Sequence, residues 1–127
     1  MTEDELSYKI IGAAIEVHRT LGGPGLLESI YEAALCHELT LMGLEVQRQC
    51  PVPVIYKGLI IKDPLFIDII VNKKVIIENK ATEKMHPIYE TQVLTYLRLT
   101  GLKLGMLINF GEILVTNGIS RIVNGLW

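Results

Sequence analysis

The sequence predicts an α/β domain with a mixed central sheet flanked by helices. Three observations predict it. Two stretches with helical periodicity open the chain. A run of short β-rich segments follows them. One more helical stretch then stands between two of the apolar strands. Helices before and between strands need a sheet with covered faces.

Residues 4–21 form the first expected helix. Ile10, Ile11, Ala14, Ile15 and Val17 fall near one face, and Gly22-Gly23-Pro24-Gly25 stops it. A second helix is expected from about Leu26 to Met42. Leu27, Ile30, Tyr31, Ala34, Leu35 and Leu39 recur at three- and four-residue steps, and Gly43 closes it. Residues 45–50 and 52–56 then read as strand on either side of Pro51, with Pro53 marking an edge or irregular strand. Lys57-Gly58 is a turn. Residues 65–71 and 75–80 read as a hairpin around Asn72-Lys73-Lys74. Pro87 opens a helix that runs to about Thr100 and ends at Gly101. Residues 104–110 form an apolar, buried strand. Residues 113–115 and 119–123 are expected to pair as a last hairpin through Asn117-Gly118.

With 127 residues, one domain spanning 1–127 is expected. Half of the residues are hydrophobic and the mean hydropathy is +0.36. That is rich for this length, so a partner is expected to cover some apolar surface, most simply a second copy in a homodimer. No apolar run is long enough to span a bilayer, so no membrane is implied. The start, Met1-Thr2-Glu3-Asp4-Glu5, lacks a signal-peptide pattern, and a cytoplasmic location is expected. Cys36 and Cys50 lack metal spacing and read as reduced thiols.

The net charge of −2 advertises no nucleic-acid partner. Its distribution says more. Residues 1–45 carry two bases against eight acids, and residues 57–103 carry eight bases, Lys62 among them, against five acids. The basic segment is compatible with a phosphate-bearing ligand, but charge taken alone favours an ordinary solvated surface.

The chemistry concentrates in the hairpin. Asp68 interrupts the apolar run Phe66-Ile67-Asp68-Ile69-Ile70-Val71, and a buried carboxylate needs a partner or a metal. The next strand, Val75-Ile76-Ile77-Glu78-Asn79-Lys80, places Glu78 and Lys80 on one face. A three-residue loop makes Val71 face Val75. Stepping back along both strands then sets Asp68 across from Glu78, with Cβ atoms about 4.5–5.5 Å apart. Two carboxylates that close repel unless a cation lies between them, and hard oxygen donors suit Mg²⁺ or Mn²⁺. Lys80 beside such an ion could orient water or neutralise developing charge. The same spacing also fits a surface salt-bridge cluster.

Two further pairs stand on helices. Gln92 and Tyr96 share a face at i, i+4, and Glu28 and Tyr31 follow Gly25 at i, i+3. His18 reads as a packed, hydrogen-bonded residue. His37 and His86 show no ligand spacing.

Gly25-Leu26-Leu27-Glu28-Ser29-Ile30-Tyr31 resembles the signature of the GxxExxY protein family, part of the PD-(D/E)XK nuclease superfamily. The resemblance extends through residues 17–22, 67–71, 77–81, 92–97, 100–105 and 107–110. The helix with Gln92 and Tyr96 also looks like the one in RecB-type nuclease domains. The resemblance implies a restriction-endonuclease-like core and a Mg²⁺- or Mn²⁺-dependent nuclease acting on nucleic acid, DNA ahead of RNA. It implies that Asp68 and Glu78 bind the metal, with the Asn79 carbonyl as an extra ligand. Lys80 becomes the catalytic lysine, and Glu28 a further carboxylate acting through water. Gln92, Tyr96 and Tyr31 become support or substrate-contacting residues. Two positions depart from the family's usual look. Phe66 stands where a basic residue often precedes the aspartate, and Asn79 where an apolar residue is usual. The alternative is a catalytically silent binding or dimerisation module on the same fold.

Overall fold

Helix α1, Glu3–Thr20, begins at a capping box. The Thr2 hydroxyl accepts from the Glu5 amide, and the Glu5 carboxylate accepts from the Thr2 amide, both at 3.2 Å. Glu3, Asp4 and Glu5 in the first turn and Arg19 in the last suit the helix dipole. Its buried face carries Leu6, Ile10, Ala13, Ala14 and Val17. Ile15, expected on that face, is exposed. Helix α2, Glu28–Leu41, starts two residues later than the periodicity suggests, because Leu27 is the extended N-cap residue.

In this computed structural model, residues 1–61 and 63–125 are described; Lys62 lies outside them. Strand β1 spans Val46–Val52. Strands β2, Ile55–Tyr56, and β3, Leu59–Ile60, form a separate two-stranded hairpin. Strands β4, Leu65–Val71, and β5, Val75–Lys80, have the bounds the sequence predicts. Helix α3 is Ile88–Thr100, with Gly101 as its left-handed cap at φ 76°. Strand β6 is Leu104–Asn109, and strand β7 is Ile119–Val123.

The main sheet has the order β1-β4-β5-β6-β7. Among the described strands only the β5–β6 pairing is parallel, and α3 supplies the crossover between those strands. Helices α1 and α2 cover one face over Ile69, Val71, Val75, Ile77, Met106, Ile108 and Phe110. Helix α3 covers the other through Val93 and Leu97, against Ile76 and Leu107. Gly105 permits that approach, since a Cβ there would stand 2.4 Å from a Val93 methyl. This is the mixed, helix-flanked sheet expected, and it is consistent with a restriction-endonuclease-like fold.

Two expectations about the strands fail. Pro51 does not divide a strand: β1 runs through it, opposite Phe66. An edge strand loses no ladder bond to a proline whose missing N–H side faces outward. Residues 113–115 are not a strand, and Asn117-Gly118 is not a hairpin turn. Val115–Gly118 is a 3-10 turn, and β7 pairs with β6 instead, from Leu104↔Val123 to Ile108↔Ile119. The open edge of buried β6 offers a longer ladder than a three-residue strand does. Gly118 is needed there for closeness, as a Cβ would lie 2.6 Å from the Asn109 carbonyl oxygen. No described helix is long and apolar enough to cross a membrane.

Candidate metal centre

Strands β4 and β5 pair at Val71↔Val75, Ile70↔Ile76 and Ile69↔Ile77, the register predicted from the loop. Their ladder ends there. Strand β4 continues against β1 as far as Leu65, and β5 continues against β6 as far as Lys80. The two strands therefore fork at Asp68 and Glu78.

A fork strands backbone donors inside the sheet, and buried donors demand acceptors. The two carboxylates supply them. Glu78 accepts from the Asp68 amide at 3.1 Å, and Asp68 accepts from the Asn79 amide at 2.8 Å. Each carboxylate is fixed by the opposite strand. These bonds orient the pair towards one another's backbone and hold them in a half-buried place.

Burial pushes the Glu78 carboxyl up to about 8, and the negative charge of Asp68 adds to the push. Lys80 opposes it. Burial likewise raises Asp68 to about 6, with the charges of Glu32 and Glu28 adding, against the lowering hydrogen bond from Asn79. Tyr96 is raised by burial and then by the same two carboxylates. Four acids from two strands and one helix thus feel one another here.

Glu28 is the exposed first residue of α2, and its charge reaches both Asp68 and Glu78. Lys80 extends over the ring of Tyr89, with Nζ 4.4 Å from the centroid. Gln92 and Tyr96 line a cleft of about 280 Å³ with Leu65, Ile88, Thr91 and Thr95. Tyr31 is fully buried, and its ring stacks on Phe110 at 4.8 Å. Its hydroxyl donates to the Gly23 carbonyl and accepts from the Leu26 amide, so it ties down the turn that leads into Glu28. His18 is packed and buried, with Nε2 3.2 Å from the Phe110 carbonyl oxygen. Asn79 is fully buried, and neither side-chain polar atom has a partner among the described residues. Cys36 and Cys50 are free thiols, and burial pushes Cys36 up to about 11.

Four residues escaped the sequence reading: Glu32, Arg48, Gln49 and Tyr89. Glu32 is buried on α2, where it binds Arg48 and Gln49 of β1. Gln49 also reaches Asp68 at 3.4 Å. Glu32 follows Glu28 at i, i+4, which was a usable signal. Tyr89, beneath Lys80, follows Pro87 closely in the same helical turn and had no signal of its own.

The donor set fits a hard divalent ion. Among the described residues, no three His, Cys, Asp or Glu side chains form a ready-made ligand cluster. Two forked carboxylates are nevertheless oxygen donors of the kind a hard divalent ion takes, where the ion keeps part of its water and needs few protein oxygens.

A family model of the PD-(D/E)XK nuclease superfamily matches residues 4–122. No curated protein and no solved structure matches the chain.

Proposed function

We propose that this chain, which belongs to the PD-(D/E)XK nuclease superfamily, is a metal-dependent nuclease that hydrolyses phosphodiester bonds, with DNA ahead of RNA as substrate. The observation that carries the proposal is the fork holding Asp68 and Glu78, each bonded to the other strand's backbone. Asp68 and Glu78, with the Asn79 carbonyl, would hold Mg²⁺ or Mn²⁺. Such an ion supplies Lewis acidity and a low-pKa water at this place.

The chain's own residues do the rest. Lys80 follows Glu78 by two positions and carries a cation to the fork. It neutralises charge that develops on the phosphate and orients the attacking water. Glu28 adds a carboxylate that polarises water from the α2 side. Gln92 and Tyr96 line the cleft beside the fork and steady the strand of nucleic acid lying there. Tyr31 positions Glu28 through its grip on the preceding turn. The Gly25-to-Tyr31 signature supports membership of the GxxExxY family.

A homodimer in the cytoplasm completes the proposal. Ile55, Tyr56, Leu59 and Ile60 of the β2–β3 hairpin, with Ile61 and Phe66, are all more than half exposed. A second copy covering them would remove that apolar surface from water. The same surface favours the alternative, a silent binding or dimerisation module.

Metal-linked stabilisation separates the two. Mn²⁺ should raise the melting temperature of the parent and leave Asp68→Asn unmoved, because a ligand stabilises only the state it binds. A parent that melts identically in Mn²⁺ and in EDTA would favour the silent module.

A further inference from the structure

We infer that Arg48 is a phosphate-contacting residue of the site, held for that task by buried Glu32. The inference rests on the nuclease reading and extends it to a group on the edge strand.

The backbone makes the first argument. Strand β1 pairs with β4 at Arg48↔Ile69 and Cys50↔Ile67, so Gln49 stands opposite Asp68. Gln49 has φ 51°, the left-handed region that a side chain with a Cβ seldom occupies. Neighbouring residues of a strand ordinarily face opposite sides. Here both Arg48 and Gln49 reach one carboxylate: Arg48 Nε donates to Glu32 at 2.7 Å, and Gln49 Nε2 donates to Glu32 at 2.8 Å. Gln49 Nε2 also lies within reach of Asp68 Oδ1, at 3.4 Å. The strained residue therefore draws a cation and an amide to the side of the metal-site aspartate.

Burial makes the second. The Glu32 side chain is 7% exposed, while Arg48 is 44% exposed. An acid that is hidden fixes its partner firmly, and a fixed guanidinium keeps its fork geometry. The bond to Glu32 uses the Nε–H. The N–H groups on the two terminal nitrogens make no other bond among the described residues. Planar, paired N–H donors match the non-bridging oxygens of a phosphodiester.

Charge makes the third. Glu28, Glu32, Asp68 and Glu78 all act on this region, and a polyanion approaching them needs cations on its path. Lys80 serves one strand of the fork. Arg48, on which the charge of Asp68 also acts, serves the edge-strand side.

The test is binding of a short duplex DNA in Mg²⁺, on a Lys80→Ala background that does not cleave it, across a range of salt. Arg48→Met should weaken binding by about tenfold and make the slope of log affinity against log salt shallower by about 0.9, the signature of one lost phosphate contact. Arg48→Lys should keep the slope. Arg48→Met strands the Glu32 carboxylate, so Glu32→Gln/Arg48→Met provides a folded equivalent and should lose the same slope. A folded Met variant with the parent's affinity and slope would overturn the inference while leaving the nuclease reading standing. A parent that binds neither this duplex nor single-stranded DNA or RNA of the same length would overturn both.

Discussion

Removing the charge of Glu78 should stabilise the metal-free protein at neutral and basic pH. The side chain is buried, and its carboxyl is raised from an ordinary 4.5 to about 8. In the unfolded chain the group ionises near its ordinary value. The folded state therefore binds the extra proton throughout the interval between the two. Stability from this group is fully present below about pH 4.5 and is lost as pH rises to about 8. One pKa unit corresponds to about 1.4 kcal/mol, so full ionisation opposes folding by several kcal/mol, with about 5 kcal/mol as the ceiling. Half of that ceiling corresponds to a melting temperature lower by roughly 5–15 °C for a chain of this size. Asp68, raised to about 6, adds in the same direction. The assay is thermal melting in EDTA from pH 5 to pH 9, for the parent and Glu78→Gln. The parent should lose stability steadily up to pH 8, and the variant should lose far less. A parent whose melting temperature is flat over that range would refute the account of a buried, forked carboxylate.

Other perturbations follow from the same geometry. Asn79→Val should stabilise the protein by about 1–2 kcal/mol in denaturant melts, because it removes a fully buried amide that has no partner among the described residues while keeping its backbone. Gly105→Ala should destabilise by about 1–3 kcal/mol, since the new methyl meets a Val93 methyl at 2.4 Å and pushes α3 off the sheet. Tyr89→Phe should cleave as the parent does, whereas Tyr89→Leu should lower kcat about tenfold with little change in melting temperature, as only the leucine removes the ring under Lys80. Substituting Ile60 by Glu should leave the fold intact and raise the monomer fraction in sedimentation, if a second copy covers the β2–β3 hairpin.

The hairpin at the centre of the site was readable because its apolar alternation and odd loop leave one consistent register. Val71 meeting Val75 puts Asp68 and Glu78 at the fork, as the ladder now shows. Helix ends were readable where a glycine or a capping residue marks them, as at Thr2 and Gly101. The last strand was misread because Asn117-Gly118 has turn chemistry, yet the open edge of β6 outweighs that local preference. Ile15 was misplaced because helical periodicity defines a face only to within a residue or so at its borders. The layer behind the carboxylates stayed hidden for a different reason. Arg48, Gln49 and Glu32 meet through a left-handed residue inside a strand, and simple alternation assigns Arg48 and Gln49 to opposite faces. Tyr89 meets Lys80 across a loop between β5 and α3, where no period links them.

The central claim is metal-dependent cleavage at the Asp68–Glu78 fork with Lys80 as its cation. The direct measurement is hydrolysis of single- and double-stranded DNA and RNA by the purified protein, in Mn²⁺, in Mg²⁺ and in EDTA, beside Lys80→Ala. Cleavage that needs the metal, is lost in EDTA and disappears in a folded Lys80→Ala protein is the predicted result. Absence of cleavage on every substrate in either metal, or equal cleavage by the lysine variant, would contradict it.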